Sequence, residues 1–474
     1  MLKIYNSLTK QKQEFKPKES AAVKMYACGV TVYDDCHIGH GRSLYIFEVM
    51  RRYLEYRGYG VEFVRNITDV DDKIINKAAE WSKKENIPLK DAFDKVRKTY
   101  IDSYQQDLKL LDIPQAKKEP LATENIAEMQ EYIQKLIDKD FAYEAQGNVY
   151  FSVRNFSSYG KLSGKKIDDL FSSVRIESDP LKKDPLDFAL WKKAKPDEPS
   201  WNSPWGEGRP GWHIECSVMS QKYLKTDTLD IHGGGRDLVF PHHENERAQS
   251  ESLTGKTFAN YWIHHGLLTI NGQKMAKSLG NFIILKDVLA KYPADVLKIF
   301  YLQAHYASPI DFSWERMEEA KTAYERLVIL RDKLIKLRDE GVKPSVKTEG
   351  MAQLKRDFDE AMDDDFNMPK GLAVLFDIVN HCNKLLEKEV EFKNNKLVTA
   401  LDTMEDIANI FALSFSYKQT AELSDDKVEK LIQQRLEHRK NKNFKEADSI
   451  RKQLEEKGVI LEDTKEGTEW RRKI

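Results

Sequence analysis

Between residues 22 and 67 the hydrophobic pattern changes period twice, and this constrains the fold more than any other feature of the chain. Residues 22–27 are apolar and strand-like. Leu44, Phe47, Met50 and Leu54 then recur at near-helical spacing, which predicts a helix over residues 40–56. Gly58 and Gly60 end it. Residues 61–67 alternate as a second strand. Strand, helix and strand in succession predict a parallel pair joined by a right-handed crossover, and so an α/β layer.

The rest of the chain must be built around that layer. With 474 residues there is room for roughly two to four domains, each with its own core. The longest apolar runs, such as residues 263–270, are broken by histidine or glycine and are too short to span a bilayer. The first residues carry no apolar signal segment, so a cytoplasmic location with no membrane is expected. Four cysteines, Cys28, Cys36, Cys216 and Cys382, include no C-x-x-C pair. That argues against a disulfide framework and rules out a local zinc ribbon, so any metal must be gathered from distant segments. A net charge of −1 removes the usual argument for nucleic acid, although 32% charged residues leave room for local patches.

Residues 119–205 read as an insertion. It has a helical part at 126–137, a strand-like part at 148–153 and a Lys/Pro/Asp-rich loop at 179–204. The α/β pattern returns at residues 211–219 and 229–232, followed by Gly233, Gly234 and Gly235. Residues 267–270 predict another strand, closed by the tight turn Asn271-Gly272. From about Trp314 the pattern is helical. Leu327, Leu330, Leu334 and Leu337 share one face, as do Leu372, Leu375, Phe376 and Val379. Beyond the polar residues 417–426 a small terminal unit is expected. It has one helix with Val428, Leu431, Ile432 and Leu436 inward, a second helix at 444–454, and a tail at 458–474.

Two short motifs carry phosphate chemistry. His37-Ile38-Gly39-His40 lies where the first strand hands over to its helix, on the carboxyl edge of the sheet, where backbone N–H groups and the helix dipole favour anions. Gly39 lets a ligand approach the backbone, and the two histidines can donate to phosphate oxygens. The bland alternative is a pair of surface histidines capping a helix. Lys274 and Lys277, on a loop flanked by Gly272 and Gly280, can close over a triphosphate, the alternative being a solvated basic loop. Neither a G-x-G-x-x-G nor a P-loop pattern occurs.

Residues 28–42, Asn66 to Ile74, Gly211 to Cys216, residues 240–246 and the lysine loop, in this order, resemble the cysteinyl-tRNA synthetases of class I. The resemblance extends over the whole length, through Asp364-Asp365-Phe366-Asn367 to Leu461-Glu462-Asp463 and Trp470-Arg471-Arg472. It implies a Rossmann-like parallel-sheet catalytic domain with an insertion, then a helical bundle and a small C-terminal domain. The boundaries it suggests are 1–118 and 206–265 for the catalytic halves, 119–205 for the insertion, 266–315 for the lysine-loop region, 316–420 for the bundle and 421–474 for an anticodon-binding domain. One departure is Ala276, where the family's loop usually reads KMSKS; both lysines remain.

The resemblance implies one Zn2+ held by Cys28, Cys216, His242 and Glu246. The residue chemistry supports it, since zinc takes S, N and O ligands and His242 and Glu246, four apart, share a helix face. A buried cysteine can equally be an apolar filler. Glu244 is the nearest rival to Glu246, while His243, Cys36 and Cys382 are assigned to structure. The substrate thiolate would be an added ligand, which separates cysteine from serine where pocket shape alone cannot. The resemblance also implies contacts to the amino acid from Cys28, Gly29, Thr68 and Trp212, and to ATP, as its Mg2+ complex, from His37, Gly39, His40, Asp237 and Lys277. Core packing is the alternative for Trp212.

Near the end, Arg435, Arg439, Lys440, Lys442 and Lys445 form a basic cluster around Phe444. Such mixtures suit single-stranded bases; a solvated helix face is the alternative. The resemblance implies anticodon contacts from Arg439, Phe444, Asp448 and Asp463. The activity it implies is ligation of L-cysteine to tRNA(Cys) with ATP, by a monomer. The rivals are a paralogous ligase that couples cysteine to an amino sugar in mycothiol synthesis, which would lack the terminal unit, and a non-catalytic zinc-containing RNA-binding protein.

Overall fold

Strand β1 (Ala22–Thr31), helix α1 (Ile38–Tyr56) and strand β2 (Gly60–Thr68) form the expected crossover unit in the computed structural model. The structure describes residues 1–166, 179–276, 279–340, 349–386, 393–416, 423–464 and 467–472. The two strands pair in parallel from Ala22 opposite Gly60 to Thr31 opposite Thr68. Helix α2 (Trp212–Leu224), strand β3 (Leu229–Gly235), helix α3 (Glu244–Thr254) and strand β4 (Ala259–His265) complete the layer. All four strands are parallel, in the order β4-β3-β1-β2. The chain therefore runs outward from β1 to β2 and later returns on the other side through β3. The carboxyl ends of β1 and β3 flank the switch point, where an open α/β sheet leaves its crevice.

The pairing of β1 with β2 shifts register between Ala27 and Val30. Cys28 and Gly29 occupy this bulge. A side chain on Gly29 would meet the Asn66 carbonyl at 1.7 Å, so glycine is required there. The bulge re-aims Cys28 toward α2 and α3.

The insertion differs from expectation. Residues 179–204 are not one loop, because Phe188–Lys193 is a strand with Leu190 and Trp191 fully buried. It joins Ala142–Ala145, Asn148–Phe151 and Gly208–Pro210 in an antiparallel sheet, which therefore continues past residue 205. The short apolar run is masked in sequence by the Lys, Pro and Asp residues around it.

Contacts divide the described chain into two units, residues 1–414 and 415–474. The first includes the helices Trp314–Asp339, Glu349–Asp363, Met368–Leu386 and Lys393–Ile410. Leu327, Leu330 and Leu334, and likewise Leu372, Leu375 and Val379, are buried as their spacing predicts. The Asp364–Asn367 turn ties this bundle to the N-terminal segment: Asp365 Oδ1 accepts from Tyr5 N at 2.8 Å and Tyr306 Oη at 2.7 Å.

The second unit packs the helices Asp425–Lys440 and Phe444–Glu456 on the hairpin Val459–Thr464 and Gly467–Arg472. Val428, Ile432, Leu454, Val459 and Leu461 form its core. Leu436, expected inside, is 42% exposed, and Arg435 is buried instead. The reason is a two-pronged ion pair from Arg435 to Asp463 at 2.8 and 2.7 Å. No described helix is long and apolar enough to cross a membrane.

Candidate active site

The turn between β1 and α1 is built by its own histidines. His37 is the N-cap of α1, with extended backbone, and its Nδ1 accepts from Gly39 N at 3.1 Å and His40 N at 3.2 Å. His40 Nδ1 in turn accepts from His37 N at 3.3 Å. The two rings stack with centroids 3.6 Å apart. Burial pushes His37 down to about 4, against the pull of Asp237, and drives His40 well below its ordinary value, helped by His37. Both imidazoles are therefore neutral near pH 7. Since each Nδ1 accepts, each Nε2 carries the proton, and the capped turn presents two Nε2–H donors. Capping and ligand donation, the two readings of this motif, are compatible because they use opposite ring nitrogens. A side chain at Gly39 would fall 2.9 Å from the His37 ring.

Buried Arg42, which sequence reasoning passed over, fixes the next turn of α1. Its guanidinium donates to the carbonyls of Gly266, Leu267, His305, Tyr306 and Ser308. The segment after the lysine loop is tied to the same turn. Ile38 N donates to Ile283 O at 3.2 Å and Leu285 N to Cys36 O at 2.8 Å. Asn271 and Gly272 both have positive φ, as the tight turn requires. Lys274 is exposed, and Lys277 lies outside the described residues.

On the other side of the switch point four side chains converge. One ligand atom each from Cys28, Cys216, His242 and Glu246 lies within 4.8 Å of all the others, and all four residues are buried. The sulfurs of Cys28 and Cys216 are 3.7 Å apart. Two thiolates each about 2.3 Å from a tetrahedral zinc would be separated by about 3.8 Å. His242 Nε2 is 3.0 Å from Glu246 Oε1. Its Nδ1 is 2.9 Å from His213 Nδ1, so the ring is oriented from behind. Glu246 Oε2 is taken by His232 Nε2 at 2.7 Å. The donor set and its bracing fit a thiophilic dication. Burial opposes ionisation of Cys216, but the Cys28 hydrogen bond and His242 bring it to about 6. Cys28 is pushed well up by burial and by Cys216. Burial likewise opposes the charged forms of Glu246 and His242. Yet His232 and His242 hold Glu246 well below its usual value, and Glu246 with Cys216 raises His242 to about 10.

Glu244 faces elsewhere, accepting from Ser163 N and Arg247. His243, which the sequence assigns to structure, borders the cluster: its Nε2 is 3.3 Å from Cys28 Sγ, and Cys28, His232, His243 and Glu246 form a second group of donor spacing. The first group is the better metal set because it offers two sulfurs, and His243 Nδ1 is engaged by His264 at 2.8 Å. His232 had no sequence signal beyond its strand. Only its contact with Glu246 on α3 reveals its role.

Trp212 stacks on His242 with centroids 4.2 Å apart and is 37% exposed, so it borders open space rather than filling a core. Thr68 Oγ1 donates to buried Glu215 at 2.8 Å, and Gly29 N donates to Asn66 Oδ1 at 2.9 Å. Asp237, exposed after β3, faces His37 and His265.

In the second unit the predicted RNA residues divide. Phe444 is 59% exposed. Arg439 and Asp448 have no such aromatic surface, and Arg439 donates to Asp463 Oδ2 at 2.8 Å. Asp463 also accepts from Arg435 and Thr468, and Arg435 holds it well below the usual carboxylate range. Its oxygens are committed to protein partners, and buried Arg435 leaves the basic surface cluster.

The fold and site define a class I aminoacyl-tRNA synthetase. A methionyl-tRNA synthetase of Mycobacterium tuberculosis in complex with methionyl-adenylate superposes with a TM-score of 0.62 at 14% identity, over 84% of this chain and 92% of that one. A Campylobacter jejuni protein described as a putative arginyl-tRNA synthetase gives 0.57 at 14%, over 84% and 93%. Residues 14–322 match the class I (C) catalytic domain of tRNA synthetases, residues 357–416 the DALR domain and residues 421–471 the cysteinyl-tRNA ligase anticodon-binding domain. Cysteine–tRNA ligase of Persephonella marina is 49% identical over 100% of both chains, and that of Halalkalibacterium halodurans 47% over 99% of both. The chain belongs to the cysteine–tRNA ligase family.

Proposed function

We propose that the chain joins cysteine and ATP into enzyme-bound cysteinyl-adenylate and pyrophosphate, then passes the cysteinyl group to the terminal ribose of tRNA(Cys). The observation that carries this reading is the convergence of two sulfurs, an imidazole and a carboxylate beside a helix N-terminus that offers two neutral imidazole donors. Cys28, Cys216, His242 and Glu246 would hold one Zn2+, which when bound supplies a centre that takes the substrate sulfur as thiolate and rejects a serine hydroxyl.

The chain's own residues do the rest. Trp212 walls the amino-acid pocket with the ring face turned from His242. The bulge keeps Gly29 clear for the amino-acid backbone, and Thr68 is oriented by Glu215. The substrate carboxylate attacks the α-phosphorus, so no protein nucleophile is needed. His37 and His40 donate Nε2–H bonds as charge develops on the phosphate. Lys274 and Lys277, with Mg2+, balance the leaving pyrophosphate. Gly39 and Asp237 bound the nucleotide. In the terminal unit Phe444 offers a ring for an anticodon base, and Asp463 braces Arg439. Asp448 completes that face. The domain boundaries, a monomeric state and a cytoplasmic location follow the same reading.

Cysteine-dependent exchange between ATP and pyrophosphate, followed by charging of tRNA, tests it. Exchange with cysteine, little with serine, and formation of cysteinyl-tRNA are expected. Exchange without charging would favour the amino-sugar ligase; absence of exchange would overturn the reading.

A further inference from the structure

A cavity of about 490 Å³ opens beside the edge strand β4 and shares only Asp237 with the residues assigned to ATP. Its lining joins three parts of the chain: Lys10 from the N-terminal segment, Lys165 from the insertion, and Arg236, Asp237 and Phe240 from the loop after β3. His264, at the end of β4, forms its inner wall. Lys10 Nζ comes within 2.6 Å of where a side chain on Gly164 would stand, which brings it next to Lys165. Lys165 Nζ lies 4.4 Å from the Phe240 ring centroid. Three cations against one carboxylate, with an aromatic ring among them, form a surface for a phosphate and a base together.

Two facts locate this cavity relative to the reaction. Neither His37 nor His40 lines it, so it is not where the ATP phosphates meet their imidazole donors. Yet it borders both halves. Asp237 faces His37 and His265 on one side. On the other, His264 Nε2 is 2.8 Å from His243 Nδ1, and His243 Nε2 is 3.3 Å from Cys28. A second nucleotide placed here would stand next to adenylate and amino acid at once. The reaction needs such a nucleotide in its second step. A ribose hydroxyl attacks the carbonyl carbon, a C–O ester bond forms, and the mixed-anhydride bond breaks. AMP leaves with the electron pair and the hydroxyl proton passes to solvent.

We infer that this cavity holds the 3′-terminal nucleotide of the tRNA, with Lys10, Lys165 and Arg236 on its phosphates and Phe240 against its base. The inference rests on the proposed ligase reading and assigns its acceptor subsite. The test compares wild type with the Lys10→Ala/Lys165→Ala double variant and with Lys165→Ala alone, using intact tRNA(Cys) and the same tRNA lacking its terminal adenosine. On wild type, removing the adenosine weakens tRNA binding about tenfold, the scale of one stacked base. On the double variant it costs little more, because the subsite is already disabled. The Michaelis constant for intact tRNA rises about tenfold in the double variant and less in the single one, while cysteine-dependent pyrophosphate exchange, which involves no tRNA, keeps its rate. A parallel loss of exchange and charging would assign the cavity to ATP. An undiminished penalty for the missing adenosine on the double variant would put the terminal nucleotide elsewhere. Both results would overturn the inference while leaving the ligase reading intact; that reading fails only if wild type itself gives no exchange.

Discussion

The sulfur cluster and the lysine loop are built in opposite ways. Around Cys28 and Cys216 three polar side chains are backed by others: His213 backs His242, His232 backs Glu246 and His264 backs His243. All the donors of the cluster are buried. Lys274 is exposed, on a two-residue strand beyond a left-handed turn. On the proposed reading, the half that chooses the substrate is buried and braced, whereas Lys274 of the half that meets the pyrophosphate stands exposed. Discrimination tolerates little positional error, and a leaving group must be let go.

The sharpest way to break this contrast is to remove a sulfur. Cys216→Ser should lower bound zinc, measured by elemental analysis, from one per chain to nearly none. Exchange with cysteine should fall by about 1000-fold or more, while ATP binding by calorimetry changes little. A variant that keeps its metal and its preference for cysteine over serine would show that Cys216 only fills space. Lys274→Ala attacks the open half. Its expected effect is about 100-fold on the exchange rate constant with a nearly unchanged Michaelis constant for cysteine, the pattern of a contact made in the transition state. The opposite split would move Lys274 into ground-state binding.

How the two halves appeared in the sequence follows from the same contrast. The strand–helix–strand unit was legible because its periods are local, and the structure extends each predicted element by only a few residues. Cys28, Cys216, His242 and Glu246 were nameable as a set only through resemblance, since they come from β1, α2, the turn before α3 and α3 itself, and no local spacing joins all four. His232 was missed as a partner of the cluster because its contact joins β3 to α3, which no local spacing indicates. Arg435 was misread as surface charge because its partner, Asp463, lies on a hairpin 28 residues away. Phe188–Lys193 was hidden by flanking polar residues that suggest a loop.

The residue behind Glu246 gives the next test. His232→Ala leaves all four donors in place, frees Glu246 Oε2 and removes a buried ring stacked on Trp262. Metal affinity should drop about 10- to 100-fold in a chelator competition, with the purified protein still folded. An unchanged affinity would mean that Glu246 is held by its helix alone. A smaller effect is expected in the terminal unit. Phe444→Ala should raise the Michaelis constant for tRNA about tenfold, without altering exchange. Asp463→Asn should reach a similar value by releasing Arg435 and Arg439, and it should also lower the melting temperature, which Phe444→Ala should not.

The smallest expected effect concerns pH and the end of β4. Burial pushes His265 down to about 4, with the Gly266 carbonyl opposing it, so the native imidazole stays neutral where an unfolded one, near 6.5, takes up a proton. The unfolded chain therefore binds more protons between these values, and stability rises with pH across the interval. The contribution is complete above about pH 6.5 and is lost progressively as pH falls toward 4. Between pH 6.5 and 5.5 this one group should account for about 1 kcal/mol. Denaturant titrations at the two pH values should show a smaller difference for His265→Asn than for wild type. An equal difference in both proteins would mean that the pH dependence arises elsewhere, and that this wall of the crevice is not held by a neutral imidazole.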